Sequence, residues 1–175
     1  MEYFILSQKQ NIPNGIIPHI LSDKFYERKQ VIEKDQAGEV NDVTSIMITH
    51  NPSNVYYDVI DEPVFLVSDA VKKLINIYDD SVVFKFVMLT DEVTKHQEVY
   101  WLAMIDKIDC ISDKCEFYKD NSLKKLVLDK EKVSGKKIFR VDGIREKIVV
   151  ISLDLAESML RRYFVGVELT RAEAM

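Results

Sequence analysis

Three carboxylates crowd the segment Tyr56-Tyr57-Asp58-Val59-Ile60-Asp61-Glu62-Pro63. Paired carboxylates can divide acid and base work when their surroundings drive their pKa values apart. Here the neighbouring sequence supplies neither an apolar pocket nor a cationic partner, so a solvated loop leading to Pro63 is the simpler reading. Asp106, Asp109, Asp113 and Glu116 form a second acidic series without the glycine and alternating ligands of a calcium loop. That series reads as a surface edge whose charges discourage strand pairing. Ser134-Gly135-Lys136-Lys137 resembles a fragment of a phosphate loop, but the upstream glycines are missing and a lysine-flanked turn fits better. Cys110 and Cys115 are separated by four residues, matching neither a zinc pair nor a redox motif. His19, His50 and His96 are scattered along the chain. No cofactor or metal is expected, and no catalytic residue is assigned.

The elements that would position these groups centre on a pattern used twice. Val64-Phe65-Leu66-Val67 runs into Ser68, a periodic stretch from Asp69 to Tyr78, and then Val82 to Val87. Ile148-Val149-Val150-Ile151 runs into Ser152, Leu153 to Tyr163, and then Gly166-Val167-Glu168-Leu169. Each reads as buried strand, serine N-cap, amphipathic helix and strand. In the first helix Ala70, Val71, Leu74, Ile75 and Tyr78 make one stripe; in the second, Leu155, Met159, Leu160, Tyr163 and Phe164 do. Neither serine has a local base, so both are assigned as caps rather than nucleophiles. A strand–helix–strand unit implies parallel flanking strands, whereas the short turns between the middle strands imply antiparallel pairing.

The expected fold class is therefore α+β, a mixed or mainly antiparallel sheet with two principal helices packed on it. Ser22-Asp23 could cap a further short helix through Phe25, Tyr26 and Lys29, and an extended reading of the same stretch is nearly as good. Residues 1–60 are less regular and read as an irregular N-terminal subdomain; residues 61–175 read as an α+β domain forming one compact unit with it.

The chain has 175 residues, is 47% hydrophobic and 30% charged, and carries a net charge of −5. These values fit an ordinary globular domain and argue against disorder. No apolar run has the length of a membrane span, and Met1 to Ser7 lacks the basic start of a signal peptide, so a cytoplasmic protein without a membrane partner is expected. Charge is uneven: −3 over residues 1–60, −6 over residues 61–120 and +4 over residues 121–175. An acidic middle argues against nucleic acid, which needs a basic stripe, and suits a basic protein partner.

The order of several segments resembles a known family. Phe65-Leu66-Val67-Ser68-Asp69-Ala70-Val71-Lys72-Lys73-Leu74 begins it, followed by Tyr100-Trp101 and Ile108-Asp109-Cys110-Ile111. Leu126-Val127-Leu128-Asp129, Ile138-Phe139-Arg140, Ile148 to Ser152 and Gly166-Val167-Glu168-Leu169 complete it. Over about residues 60–170 the chain is similar to the immunity proteins of bacterial polymorphic toxin systems, a family formerly catalogued as a domain of unknown function. The resemblance implies a non-enzymatic protein that binds and neutralises a cognate toxin domain. It carries no catalytic residue, and it leaves residues 1–60 outside.

The acidic residues Asp58, Asp61, Glu62, Asp106, Asp109 and Asp113 are the expected partner-binding positions. Two other classes stay open at this point. One is a small hydrolase or transferase using Asp58, Asp61 and Glu62, which requires a pocket and a raised carboxyl pKa. The other is an adaptor that homodimerises through a strand edge or through Tyr56, Tyr57 and Trp101.

Overall fold

A computed structural model describes residues 2–19 and 34–175; the short helix expected after Ser22 lies outside the described residues. The strands are β1 (Tyr3–Gln8), β2 (Val43–Ile48), β3 (Val59–Ile60), β4 (Leu66–Ser68), β5 (Val83–Asp91), β6 (Gln97–Met104), β7 (Lys107–Ile108), β8 (Glu116–Phe117), β9 (Leu123–Lys125), β10 (Val127–Leu128), β11 (Ile138–Val141), β12 (Val149–Ser152) and β13 (Val167–Ala174). The helices are α1 (Asp69–Tyr78) and α2 (Leu153–Leu160), with a 3-10 turn at Lys34–Gly38. The chain is α+β with mixed sheets. It does not form one sheet carrying both helices: it divides into two units, each holding one helix and its own large sheet.

One unit comprises Gln8–Met104 and Phe164–Val167. Its sheet has the order β2-β5-β6-β4-β3. β2 alternates cleanly, burying Thr44, Ile46 and Ile48 and exposing Val43, Ser45 and Met47, as the two-residue period of a half-buried strand requires. It runs parallel to β5, while β6 lies antiparallel between β5 and β4. β4 and β5 are therefore parallel, as the crossover through α1 demands. α1 buries Val71, Leu74 and Ile75, the centre of the expected stripe. Lys72 of this helix reaches back over Trp101, its Nζ 3.0 Å from the ring centre, and Asp69 accepts from Trp101 Nε1 at 3.2 Å. Trp101 is half-buried and meets Phe86 edge-on.

Tyr57 explains two glycines of this unit. It is only 3% exposed, and its ring occupies the space above Gly15 and Gly166. A Cβ built on Gly15 would lie 1.6 Å from the Tyr57 hydroxyl oxygen, and one on Gly166 would lie 2.4 Å from the ring. Gly166 also has φ +74°, where a side chain is disfavoured. Buried in this way, Tyr57 is unavailable as the anchor of a homodimer.

The other unit comprises the chain up to Ser7, Ile105–Tyr163 and Glu168–Met175. Its sheet has the order β10-β13-β1-β12-β11-β7, with β8 and β9 forming a separate antiparallel pair. β1 is antiparallel to β12. The Lys9 amide donates to the Gly166 carbonyl, whereas Glu2 pairs with Arg171, so β1 is also antiparallel to β13. β12 and β13 are thus parallel, again with one antiparallel strand between them. The core gathers Tyr3, Leu128, Val133, Phe139 and Val150, and the Tyr3 hydroxyl donates to the Val133 carbonyl. Cys110 lies in this core, where burial pushes its thiol up to about 11; Cys115 exchanges hydrogen bonds with the Val127 backbone. Both thiols are free.

Ser152 departs from its expected role. It occupies the N-cap position of α2, but its hydroxyl caps no helical amide and donates instead to Asp154 Oδ1. Asp154 also receives Lys137 Nζ at 2.5 Å. The α2 stripe is shorter than expected as well: Leu155, Ala156 and Met159 are buried, whereas Leu160 is 65% and Tyr163 91% exposed. The helix stops at Leu160, so Tyr163 never reaches the face that periodicity assigned to it.

Candidate partner-binding surface

Asp58 and Asp61 belong to the connector that enters β4, and both serve the fold. Asp58 Oδ1 accepts from the Ser68 hydroxyl at 2.6 Å, and Oδ2 accepts from the Val165 amide at 2.7 Å. Its amide and carbonyl bond the Val165 carbonyl and the Ser68 amide. Asp61 Oδ2 accepts the Gln8 amide at 2.9 Å. Burial raises the Asp61 pKa, with Glu62 adding to the rise and backbone hydrogen bonds opposing it. Glu62 is exposed and joined to Pro63 by a cis peptide bond. A raised carboxyl is what acid–base chemistry would require, but Asp58 is fully committed to holding its own loop.

Asp106, Asp109 and Asp113 lie in the other unit and are exposed. The Asp106 carbonyl accepts the Arg140 amide beside β7. Asp109 pairs with Lys132 at 3.6 Å while remaining 76% exposed. Asp113 accepts from Ser112 Oγ at 3.1 Å and lines an open cleft with Lys114 and Lys130. The six carboxylates are thus divided between the two units, three in each.

The histidines, scattered in sequence, converge at one end of the five-stranded sheet. His50 Nδ1 lies 2.8 Å from Asp91 Oδ2, and Asp91 Oδ1 accepts the Val93 and Thr94 amides. Burial pushes the Asp91 carboxyl up, but the His50 bond and these amides outweigh it and hold the group well below the usual carboxylate range. His96 meets Glu98 at 2.8 Å and Tyr56 edge-on, while His19 meets Thr49 Oγ1 at 2.7 Å. A histidine–aspartate pair can orient an imidazole for base chemistry. Here the aspartate also closes the Asp91–His96 turn, whose backbone it bonds, and the Thr49 hydroxyl is engaged with His19. Among the described residues no group of histidine, cysteine and carboxylate side chains could hold a metal ion.

A family model described as an immunity protein family (Imm11) matches residues 3–174. The chain belongs to this immunity protein family. No curated protein matches it. The match takes in nearly the whole chain, so the first 60 residues are part of the family pattern rather than outside it.

The immunity protein neutralises a toxin, and its partner is accordingly a protein. Among the described residues no helix is long and apolar enough to cross a membrane. An exposed feature that helical spacing did not foretell is the end of α2. Arg161 caps the helix, the Arg162 amide donates to the Met159 carbonyl, and Tyr163 adopts φ +53°. This left-handed position after a helix is usually glycine or asparagine, and a side-chain residue there costs on the order of 1 kcal/mol. The available signal was Gly166, which marks a chain reversal but stands three residues too late to supply that position.

Proposed function

We propose that this immunity protein acts in the cytoplasm of the producing cell by stoichiometric binding to a cognate toxin domain, without catalysing a reaction on it. Family membership over residues 3–174 carries this reading. Asp58 supports it, because the carboxylate that an acid–base alternative needs is consumed by Ser68 and Val165. Titrating toxin activity against immunity protein tests the mode. Binding predicts residual toxin activity until the two are equimolar; complete loss at a small fraction of that ratio would demonstrate turnover and refute it.

Of the six acidic positions, Asp109 and Asp113 are the proposed toxin contacts. They are exposed, and they belong to the −6 segment that would complement a basic toxin surface. Reversing both to lysine should weaken binding about tenfold or more in titration calorimetry, with the loss shrinking as salt screens it. Unchanged affinity would remove this placement and leave neutralisation standing.

A further inference from the structure

We propose that the exposed turn Leu160-Arg161-Arg162-Tyr163 at the end of α2 is an anchor for the toxin, with Tyr163 entering an apolar pocket bordered by carboxylates. The inference rests on the immunity reading above and goes beyond it by naming a second, basic contact surface in the unit that holds Asp109 and Asp113. Its starting point is a residue that the fold gives no reason to keep. Tyr163 has φ +53°, in the region where a bulky side chain is disfavoured, and 91% of it is exposed, so little burial offsets the strain. The other non-glycine residues at positive φ among those described are Asn11, Asn14, Asn121 and Lys95. Three of these four are the residue type that best tolerates the geometry. A tyrosine held there is explained by what it meets outside the chain.

Its neighbours fix the chemistry of that encounter. Leu160, three residues earlier, is 65% exposed. Arg161 bonds Glu157 at 3.4 Å and stays 77% exposed, while Arg162 Nη1 donates to the Ser158 carbonyl at 2.7 Å. These bonds tie both groups back to residues 157 and 158 of α2, use only a few of the guanidinium donors and leave both arginines exposed next to Tyr163 in sequence. Tyrosine and arginine are the side chains most enriched at the energetic centres of protein interfaces, and a central aromatic in a desolvated pocket is their usual arrangement. Two exposed arginines in the same turn as an exposed aromatic call for carboxylates on the recipient surface. A partner presenting only a basic surface fits Asp109 and Asp113 and does not fit this turn.

Tyr163→Asn tests the idea with two readouts that a merely structural residue would not move in opposite directions. Asparagine accepts the backbone conformation, so the variant should melt about 2–4 °C higher than the native chain. Its affinity for the toxin domain encoded beside the chain's own gene, prepared with its catalytic residue inactivated, should fall by roughly thirtyfold or more. An unchanged or lower melting temperature overturns the strain argument. A raised melting temperature with affinity within twofold of native overturns the anchor while leaving the immunity reading intact. Failure of the native chain to bind that toxin overturns both.

Discussion

The two strand–serine–helix–strand units share a sequence pattern and diverge in what their serines bind. Ser68 Oγ accepts the Val71 amide at 3.3 Å and donates to Asp58 at 2.6 Å, so one hydroxyl joins the start of α1 to the connector ten residues earlier. Ser152 Oγ turns to Asp154, and Asp154 in turn holds Lys137. The ends diverge as well. α1 finishes in Asp79, whose amide bonds Ile75 and whose backbone is extended, whereas α2 runs into the left-handed Tyr163. A repeated hydrophobic period therefore repeats the scaffold and not its polar chemistry, because the period places faces while each hydroxyl takes whatever partner its own loop brings within reach.

The connection after each helix offers the strongest way to break the comparison. α1 reaches β5 through Asp79, Asp80 and Ser81, where Ser81 donates its amide to Asp79 Oδ1 in an ordinary exposed turn. The connection before β13 depends on Gly166, with φ +74° and the Tyr57 ring within 2.4 Å of a prospective Cβ. Gly166→Ala should cost about 2–4 kcal/mol, combining overpacking against a buried ring with backbone strain. Ser81→Ala should cost less than about 0.5 kcal/mol. Chemical denaturation of both variants checks this, and equal losses would show that Tyr57 yields without penalty.

The serines themselves come next. Ser68→Ala removes a cap and leaves Asp58 without one of its donors, for an expected loss of about 1–2 kcal/mol. Ser152→Ala removes a single bond from Asp154, which keeps Lys137 and the Leu155 amide, so about 0.5–1 kcal/mol is expected. The order of the two midpoints in denaturant is the measurement. A larger loss at Ser152 would mean that its hydroxyl matters more to the chain than the cap at Ser68.

Much of the scaffold was legible because burial writes itself in periods. β2 follows from alternation, β4 and β12 from short continuous apolar runs, and the Val71-Leu74-Ile75 face of α1 from helical spacing. The parallel relation of the strands flanking each helix followed from connection rules. The division of strands among three sheets did not, since β7, β8, β9 and β10 are two or three residues long and too short to show a period. Partner geometry was harder still. Nothing in the spacing of His50 and Asp91, 41 residues apart, announces a 2.8 Å bond; the parallel pairing of β2 with β5 sets Ile48 opposite Asp91 and so creates it. Tyr163 was misplaced because an apolar residue at helical spacing looks the same whether or not the helix continues that far.

The smallest expected effects have opposite signs, and that contrast sharpens the comparison most. Asp154 has its pKa lowered: burial raises it, but Lys137 and Ser152 prevail. A depressed carboxyl contributes stability above its unfolded value, near 3.9, and loses it as pH falls through the folded value. Asp154→Asn should therefore lower the melting temperature at neutral pH, with the deficit closing in acid. Asp61 is the reverse case, its pKa raised first by burial and then by Glu62. A raised carboxyl favours the folded state most below the unfolded value, and that advantage is lost as pH rises through the folded value. Asparagine at this position keeps an acceptor for the Gln8 amide and removes a half-buried charge. Asp61→Asn should leave stability within about 0.5 kcal/mol at neutral pH, with a sign that becomes more favourable to the variant as pH rises from 4 to 7. Thermal melts of both variants and the native chain from pH 7 down to about 2 decide the matter: the Asp154→Asn deficit should close only below about pH 4, whereas the Asp61→Asn balance should shift between about pH 4 and 7. A deficit at Asp154 that persists in acid would show that Lys137 and Ser152 do not hold its charge.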